Sequence, residues 1–471
     1  PVGLCHCQSC ESKFRARHGR PVPETPDAEY RQFLAESARE AAAKIGDLIH
    51  RKRPGAAFLT YIQEHVDGVM SESNTSVTRL LPLWPYSASD NVNRARNSQR
   101  TKTAFNLCMS FVDYPWRFVT VPPAEIRLRL YQAMAHGGVV ALNMHGTMDQ
   151  EDRSALEAAR PLFQWHARHQ DLYVDQESAG RVLLVGSRSS AYRGFFRLLS
   201  EQHIPFAVSD NLDWLTERPR AYDLVIAPEG VPPELERWVR EGGRLLVGQT
   251  AQGAPGLPFL GKSLRRWEKV QGYFRIQDHA LFPSLKSTNL VLLDGDYLEY
   301  PAPEKPLLTL IPPARFGPPE KVWTDKVETD KPGLLLTTYG DGRVAYLPWD
   351  VGGLYYRLSS PGHAGLLADL IDQLLPEGRQ LRTNAHPLVE VTVMRQGERR
   401  RTLVHLVNLS GHSQTAYFDP VEMRDVRIEL AGGFANARSV SLGLALPVTR
   451  VGSYAVFTLP KLGPYDVVVL E

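Results

Sequence analysis

The sequence is short of the features that most quickly assign a chain to a class. Nowhere do 18 apolar residues run uninterrupted, so a membrane-spanning helix is excluded. Charge of one sign is lacking too: 54 Lys and Arg face 52 Asp and Glu, and no basic run exceeds Arg51-Lys52-Arg53 or Arg399-Arg400-Arg401. Dense phosphate binding needs a wider basic field, so no nucleic-acid partner is expected. Cysteine is scarce, four in 471 residues, and Cys5, Cys7 and Cys10 sit together. That is no disulfide framework; it points to a metal or a local structural knot. No cysteine follows Cys108, which excludes thiol-based glutaminase chemistry from the C-terminal three quarters. A Gly-x-Ser-x-Gly elbow is absent, and Val185-Gly186-Ser187-Arg188 lacks the glycine spacing of a dinucleotide loop. No organic cofactor is expected. Pro1 to Cys7 shows neither the basic region nor the apolar stretch of a leader, and a cytoplasmic location is the expectation.

What is present is a succession of strand-then-helix units. Residues 27–50 carry helical periodicity, and Pro54-Gly55 ends that helix before the apolar run Ala56 to Tyr61. Leu80 to Trp84 and Ala104 to Phe111 read as further strands. Pro122-Pro123-Ala124-Glu125 opens a helix through Met134, and Gly137-Gly138 releases the strand Val139 to Met144. Polar loops that all follow the strands fit a barrel better than two packed sheets. From about residue 176 the pattern is that of an open α/β sheet, with strands at 181–186, 204–208, 222–227 and 243–248, an irregular insertion at about 254–330, and a return at 333–374. Beyond Gly378 only short strands remain. The expectation is an α/β chain of three domains. Residues 1–175 are the C-terminal half of a (β/α)₈ TIM barrel and carry the catalysis. Residues 176–380 are an α/β domain, and residues 381–471 a small β-sandwich.

Candidate site residues follow from position. Glu64, after the strand 56–61 and flanked by Tyr61 and His65, reads as an acid, base or nucleophile, or as a solvated loop glutamate. Glu72 makes the same claim more weakly. The stretch from Trp84 through Tyr86, Asp90 and Asn91 to Arg94 offers aromatic faces for stacking and polar groups for hydroxyls, or else is a turn anchored by a buried Trp. Asp113 with Trp116, and His145 in the loop 145–152, recur at the same strand ends, while Asp152 reads equally well as a helix cap. Their recurrence points to a sugar-binding cleft and a carbohydrate substrate. Cys5, Cys7 and Cys10 have the spacing to converge on a structural zinc ion; free thiols are the competing reading.

Cys5-His6-Cys7-Gln8-Ser9-Cys10, followed by Gly19, Pro21 and Pro23, resembles the stretch after barrel strand four in family 42-type β-galactosidases. Ser89 to Arg96 and Pro122 to Gly138 resemble their uncharacterised relatives more closely. The resemblance implies a glycosidase acting through two carboxylates with retention. It implies that the middle domain is glutamine-amidotransferase-like and supports a homo-oligomer, in the family a trimer. It places the family's acid and a further zinc cysteine before Pro1, so that the first barrel strands would come from upstream sequence or a second chain. Asp113 is the carboxylate nearest the family's nucleophile after strand seven, and Glu64 the next choice. A catalytically inactive carbohydrate-binding or assembly protein on the same scaffold is the alternative.

Overall fold

The computed structural model describes residues 3–74, 77–78, 83–215, 218, 220–249, 260–313, 317–318, 320 and 329–471. Helices α1 (Gln8–His18) and α2 (Ala28–Lys52) pack on a small core of Phe14, Val22, Tyr30 and Phe33. Asp27 starts α2 by accepting from Tyr30 N at 2.8 Å. Four parallel strands follow in sequence order: β1 (Leu59–Thr60), β2 (Gly68–Ser73), β3 (Thr103–Met109) and β4 (Val139–Asn143). Helices α3 (Ser87–Ser98), α4 (Pro123–Ala135) and α5 (Ser154–Arg168) alternate with β2 to β4 and extend past them. Val69 of β2, Ala104 of β3 and Ala133 of α4 close a core on Val92 and Ala95 of α3. A Cβ on Gly138 would fall 2.7 Å from Val92, which is why a glycine releases β4 there. On the opposite face Met70, Phe105, Leu107 and Ala141 are only half-buried. This sheet resembles part of a barrel.

Two expectations are corrected. Of the strand expected at 80–84, residues 80–82 lie outside the described residues, while Leu83 and Trp84 are not in a strand. Among the described residues the strand before α3 is β2. The stretch from Trp84 to Arg94, expected among the polar loops, is a turn and then α3, so Asp90, Asn91 and Arg94 stand on a helix.

Beyond β5 (Glu177–Ser178), a second sheet forms from β6 (Val182–Val185), α6 (Ser190–Glu201), β7 (Phe206–Ser209), β8 (Leu224–Ala227), α7 (Pro233–Arg240) and β9 (Arg244–Val247). Its inner strands β6 and β8 are apolar at every position because helices cover both faces. Leu183, Val225 and Leu245 meet Leu235 and Trp238, whereas Leu184, Ile226 and Leu246 share the core of Phe195 and Phe196. The expected insertion carries a three-stranded antiparallel sheet of β10 (Arg265–Ile276), β11 (Leu290–Glu299) and β12 (Leu308–Ile311). The hairpin β13 (Leu335–Tyr339) and β14 (Gly342–Tyr346) then completes the second sheet, β14 lying parallel to β9. Helices α8 (Val351–Leu358) and α9 (Pro361–Leu374) follow.

From Leu381 onward two antiparallel sheets, the larger taking in β5, enclose a shared core that includes Val391, Leu406, Ile428, Phe457 and Val468, and a short hairpin forms a third sheet. The larger sheet also packs on α4: Tyr131 stacks on Tyr465 with ring centres 4.8 Å apart. Glu390 is buried there among Ser89, Gln132 and His136, at 2.7, 3.3 and 2.9 Å. The whole is a multi-domain α/β protein in which the partial barrel is held from two sides.

Candidate active site

Parallel strands deliver their C-terminal ends, and the loops after them, to one rim. Glu72 stands one residue from the end of β2 on that rim. The Tyr61 hydroxyl, just past β1, donates to Glu72 Oε1, and Asn74 Nδ2 donates to Oε2 at 3.0 Å. This hydrogen bond to a carboxylate, with some burial, pushes the Tyr61 phenol up to about 12. The backbone around Glu72 is fixed from behind. Asn91 Nδ2 donates to Glu72 O at 2.9 Å and to Asn106 Oδ1 at 2.9 Å, and Ser73 Oγ reaches the same Asn106 oxygen at 2.9 Å. Arg129 Nη1 and Nη2 donate to the carbonyls of Ser73 and Asn74 at 2.9 and 3.2 Å, and a buried 2.6 Å pair with Glu125 holds the guanidinium in place.

Asp113 lies on the loop after β3. Its Oδ1 accepts from Tyr114 N at 2.8 Å, capping the turn Tyr114–Trp116, and its Oδ2 from Val77 N, on the loop after β2, at 3.4 Å. Asp113 is therefore joined to Val77, five residues beyond Glu72. His145, after β4, meets Phe111 and Tyr114 edge-on with centres 4.7 and 5.7 Å apart. Tyr61, Tyr114, Trp116 and Phe118 are about half exposed, an aromatic surface along the same rim. Asp152 caps the backbone N–H groups of Thr120 and Ser154 at 2.7 and 3.0 Å.

Glu64 is placed elsewhere. Between β1 and β2 the chain turns back, and Lys102, immediately before β3, donates to Gln63 O. Glu64 thus stands toward the N-terminal end of the sheet, exposed and 3.5 Å from Arg39. The structure does not bring it to Asp113.

A cavity of about 380 Å³ is lined by Glu72, Trp84, Asp90, Asn91 and Arg94, five of the residues singled out in the sequence, together with Tyr192 of the second unit. Several of them are engaged within the protein. Tyr192 OH donates to Asp90 Oδ1 at 2.6 Å; Arg94 donates to Asp90 at 3.3 Å, Asp210 at 3.0 Å and Ser187 O at 2.6 Å. Burial pushes the Asp90 carboxyl above its ordinary value. Trp84 packs edge-on against Tyr86 and Phe196, with Arg193 above its ring. Tyr86 is fully inside. Arg129 and Glu125 were missed in the sequence, although two opposite charges four residues apart on an otherwise apolar helix face were there to be read.

Cys5, Cys7 and Cys10 bring their sulfurs within 4.8 Å of one another, close enough to share a metal ion. Cys7 caps α1, and the N–H of Cys10 with the neighbouring thiols lowers it to about 7, while burial raises Cys10 to about 12. The donor set suits a soft divalent ion and supplies three of the four ligands that a closed zinc site takes. His6 turns instead to Glu11, at 2.8 Å. Cys108 is buried against Ile126.

No protein-family model matches the chain, and neither does any curated protein sequence. Solved structures do. α-L-Fucosidase isoenzyme 2 from Paenibacillus thiaminolyticus is similar at a TM-score of 0.80 and 17% identity, over 99% of this chain and 75% of that one. A β-galactosidase from Bacillus circulans sp. alkalophilus gives 0.69 and 16%, over 100% and 78%. Gan42B, a GH42 β-galactosidase from G. stearothermophilus, gives 0.66 and 12%, over 99% and 76%. At these identities the likeness is one of fold. No described helix is long and apolar enough to cross a membrane.

Proposed function

We propose that this protein is a glycoside hydrolase that cleaves O-glycosidic bonds through two carboxylates with retention, on a β-galactosidase-like architecture. The observation that carries the reading is the gathering of Glu72, Tyr61, Asp113, Tyr114 and His145 at the C-terminal rim of the parallel sheet. Glu72 is assigned the attack on the anomeric carbon. Tyr61 and Asn74 hold its two oxygens, and Asn91 and Arg129 hold the backbone beneath it, so the carboxylate meets the sugar already oriented. Asp113, across the loop contact, is assigned the proton transfer to the departing oxygen and later from water. Trp116 and Tyr114 offer faces for the sugar ring, and His145 a polar edge. Glu64 is left outside the chemistry. Three expectations from the sequence become part of the proposal. The partial barrel (1–175) is completed by strands from upstream sequence or a second chain. The units at 176–380 and 381–471 are the amidotransferase-like and β-sandwich domains of an oligomer. The three thiols take a structural zinc with a fourth ligand from outside the described residues.

The test is hydrolysis of aryl α- and β-glycosides by the full natural polypeptide and its Glu72→Ala, Asp113→Ala and Glu64→Gln variants, with and without azide. We expect Asp113→Ala to lose about 10²–10⁴-fold in kcat. Azide should rescue Glu72→Ala as the glycosyl azide of inverted configuration, with Glu64→Gln unchanged. Full activity in Glu72→Ala would overturn the assignment. Saturable sugar binding without turnover of any glycoside would establish the carbohydrate-binding alternative.

A further inference from the structure

Away from this rim, the three units meet around a cavity of about 670 Å³ whose charged lining, among the described residues, is all arginine: Arg100, Arg181, Arg218, Arg220 and Arg395. Arg100 follows α3, Arg181 precedes β6, Arg218 and Arg220 lie before β8, and Arg395 comes from the strand Val389–Gln396. Arg181 is neutralised, its guanidinium lying 2.6 Å from Asp223 and 2.9 Å from Glu377. Arg218, Arg220 and Arg395 make no ion pair with any described residue. Among the described residues no carboxylate lines the cavity; Glu177 stands opposite Arg395 in the strand pair, outside the lining, and its charge also acts on Arg96. In a chain whose formal charge is only +2, so many cations around one hollow are a local concentration, not a general property.

Like charges held round a cavity repel one another unless an anion sits between them, and a one-signed hollow focuses the field on such an anion. Guanidinium groups are the side chains suited to tetrahedral oxyanions, because their paired N–H groups meet two oxygens at once. The floor is prearranged: Gln380 Oε1 accepts from Arg181 N at 3.2 Å, and its Nε2 donates to Ala179 O at 2.7 Å. The volume is that of a small-molecule site and is too confined for a polymer groove. Val393, Leu430 and Phe434 line the rest, so the oxyanion has an organic carrier to fill the apolar part.

We infer that this junction binds a small organic oxyanion ester, a phosphate or sulfate monoester, at a site distinct from the candidate active site. Because all three units contribute, the ester ties them together and raises the temperature at which they come apart.

Titration calorimetry and thermal melting of the full chain at low ionic strength test it. The probes are glucose 6-phosphate, glucose 6-sulfate, inorganic phosphate, inorganic sulfate and glucose. At least one ester should bind saturably and raise the melting temperature, more tightly than either inorganic ion, while glucose does nothing; which ester binds identifies the source. Arg218→Gln combined with Arg395→Gln should weaken binding about tenfold or more, with the ligand-free melting temperature not lowered. Arg31→Gln, on the exposed side of α2, should bind as wild type. Absence of saturable binding up to about 10 mM would overturn the inference, as would binding undiminished in the double variant or inorganic ions as tight as the esters.

Discussion

Removing Arg129 tests the link between packing and the site most directly. The guanidinium is 6% exposed and its partner Glu125 1% exposed, so Arg129→Met strands a carboxylate in the interior. Breaking a buried pair from one side costs about 3–5 kcal/mol. The carbonyls of Ser73 and Asn74 lose their donors as well, at about 1 kcal/mol each. A total of about 5–7 kcal/mol rivals the whole stability of an ordinary domain. The double variant Glu125→Leu/Arg129→Met removes both charges and should recover most of that loss, since an apolar pair of similar volume is often neutral. It should not recover catalysis. With the segment after Glu72 released, a displacement of about 1 Å costs on the order of 10²-fold, in kcat and not in KM. Urea denaturation followed by tryptophan fluorescence gives the first quantity and steady-state kinetics the second. An Arg129→Met variant within about 1 kcal/mol of wild type would refute the reasoning, as would a double variant with full kcat.

Three further outcomes are expected. The Tyr61 phenol, at about 12 because it donates to Glu72, should return toward its ordinary 10 in Glu72→Gln, as seen in the NMR titration of Cζ-labelled tyrosine with Tyr61→Phe as the assignment; an unmoved resonance would remove the hydrogen bond from the account. In metal-free protein at neutral pH, iodoacetamide should alkylate Cys7, at about 7, well before Cys10, at about 12, a sequence that peptide mass spectrometry resolves; equal rates would contradict the cap geometry. Burial lowers His405 to about 3 and His203 to about 4, against an unfolded value of 6.5. The unfolded chain takes up their protons first, so this stability is complete above pH 6.5 and is lost as pH falls toward 4 and then 3. The loss is on the order of 3–5 kcal/mol for each histidine. Urea midpoints at pH 7, 5.5 and 4 should show it, with a shallower decline in His203→Gln/His405→Gln; an identical decline would place the acid sensitivity elsewhere.

The elements legible in the sequence are those whose signal is local. Val182–Val185 and Leu224–Ala227 are short apolar runs that follow a charged residue and end at Gly186 and Pro228, and Pro123–Ala135 opens on proline and closes on glycine. What escaped was decided over long range. The strand Gly68–Ser73 ends in Ser71, Glu72 and Ser73, with no apolar alternation to announce it. Its register comes from Thr103–Met109, and its core contact from Val92 and Ala95. Asp90, Asn91 and Arg94 look like a solvated loop because the partners that let them enter a helix lie far along the chain. Tyr192 comes 102 residues after Asp90, and Asp210 follows Arg94 by 116. Glu64 shows the limit from the other side. Its position after an apolar run was read correctly, but two-residue β1 lets the chain fold back, so that following a strand does not place it at the C-terminal rim.

These corrections change what the second unit does. Helix α3 lies between it and the sheet, with Val92 and Ala95 turned to β2 while Asp90, Arg94 and Asn93 bind Tyr192, Asp210, Ser187 and the backbone of Phe206 and Val208. Asn91, on the same helix, holds the carbonyl of Glu72. The second unit therefore fixes the helix on which Glu72 leans. Asp90, Asn91 and Arg94, expected from the sequence as substrate contacts, also transmit that rigidity, and a carboxylate assigned to the chemistry is only as well placed as the elements supporting it.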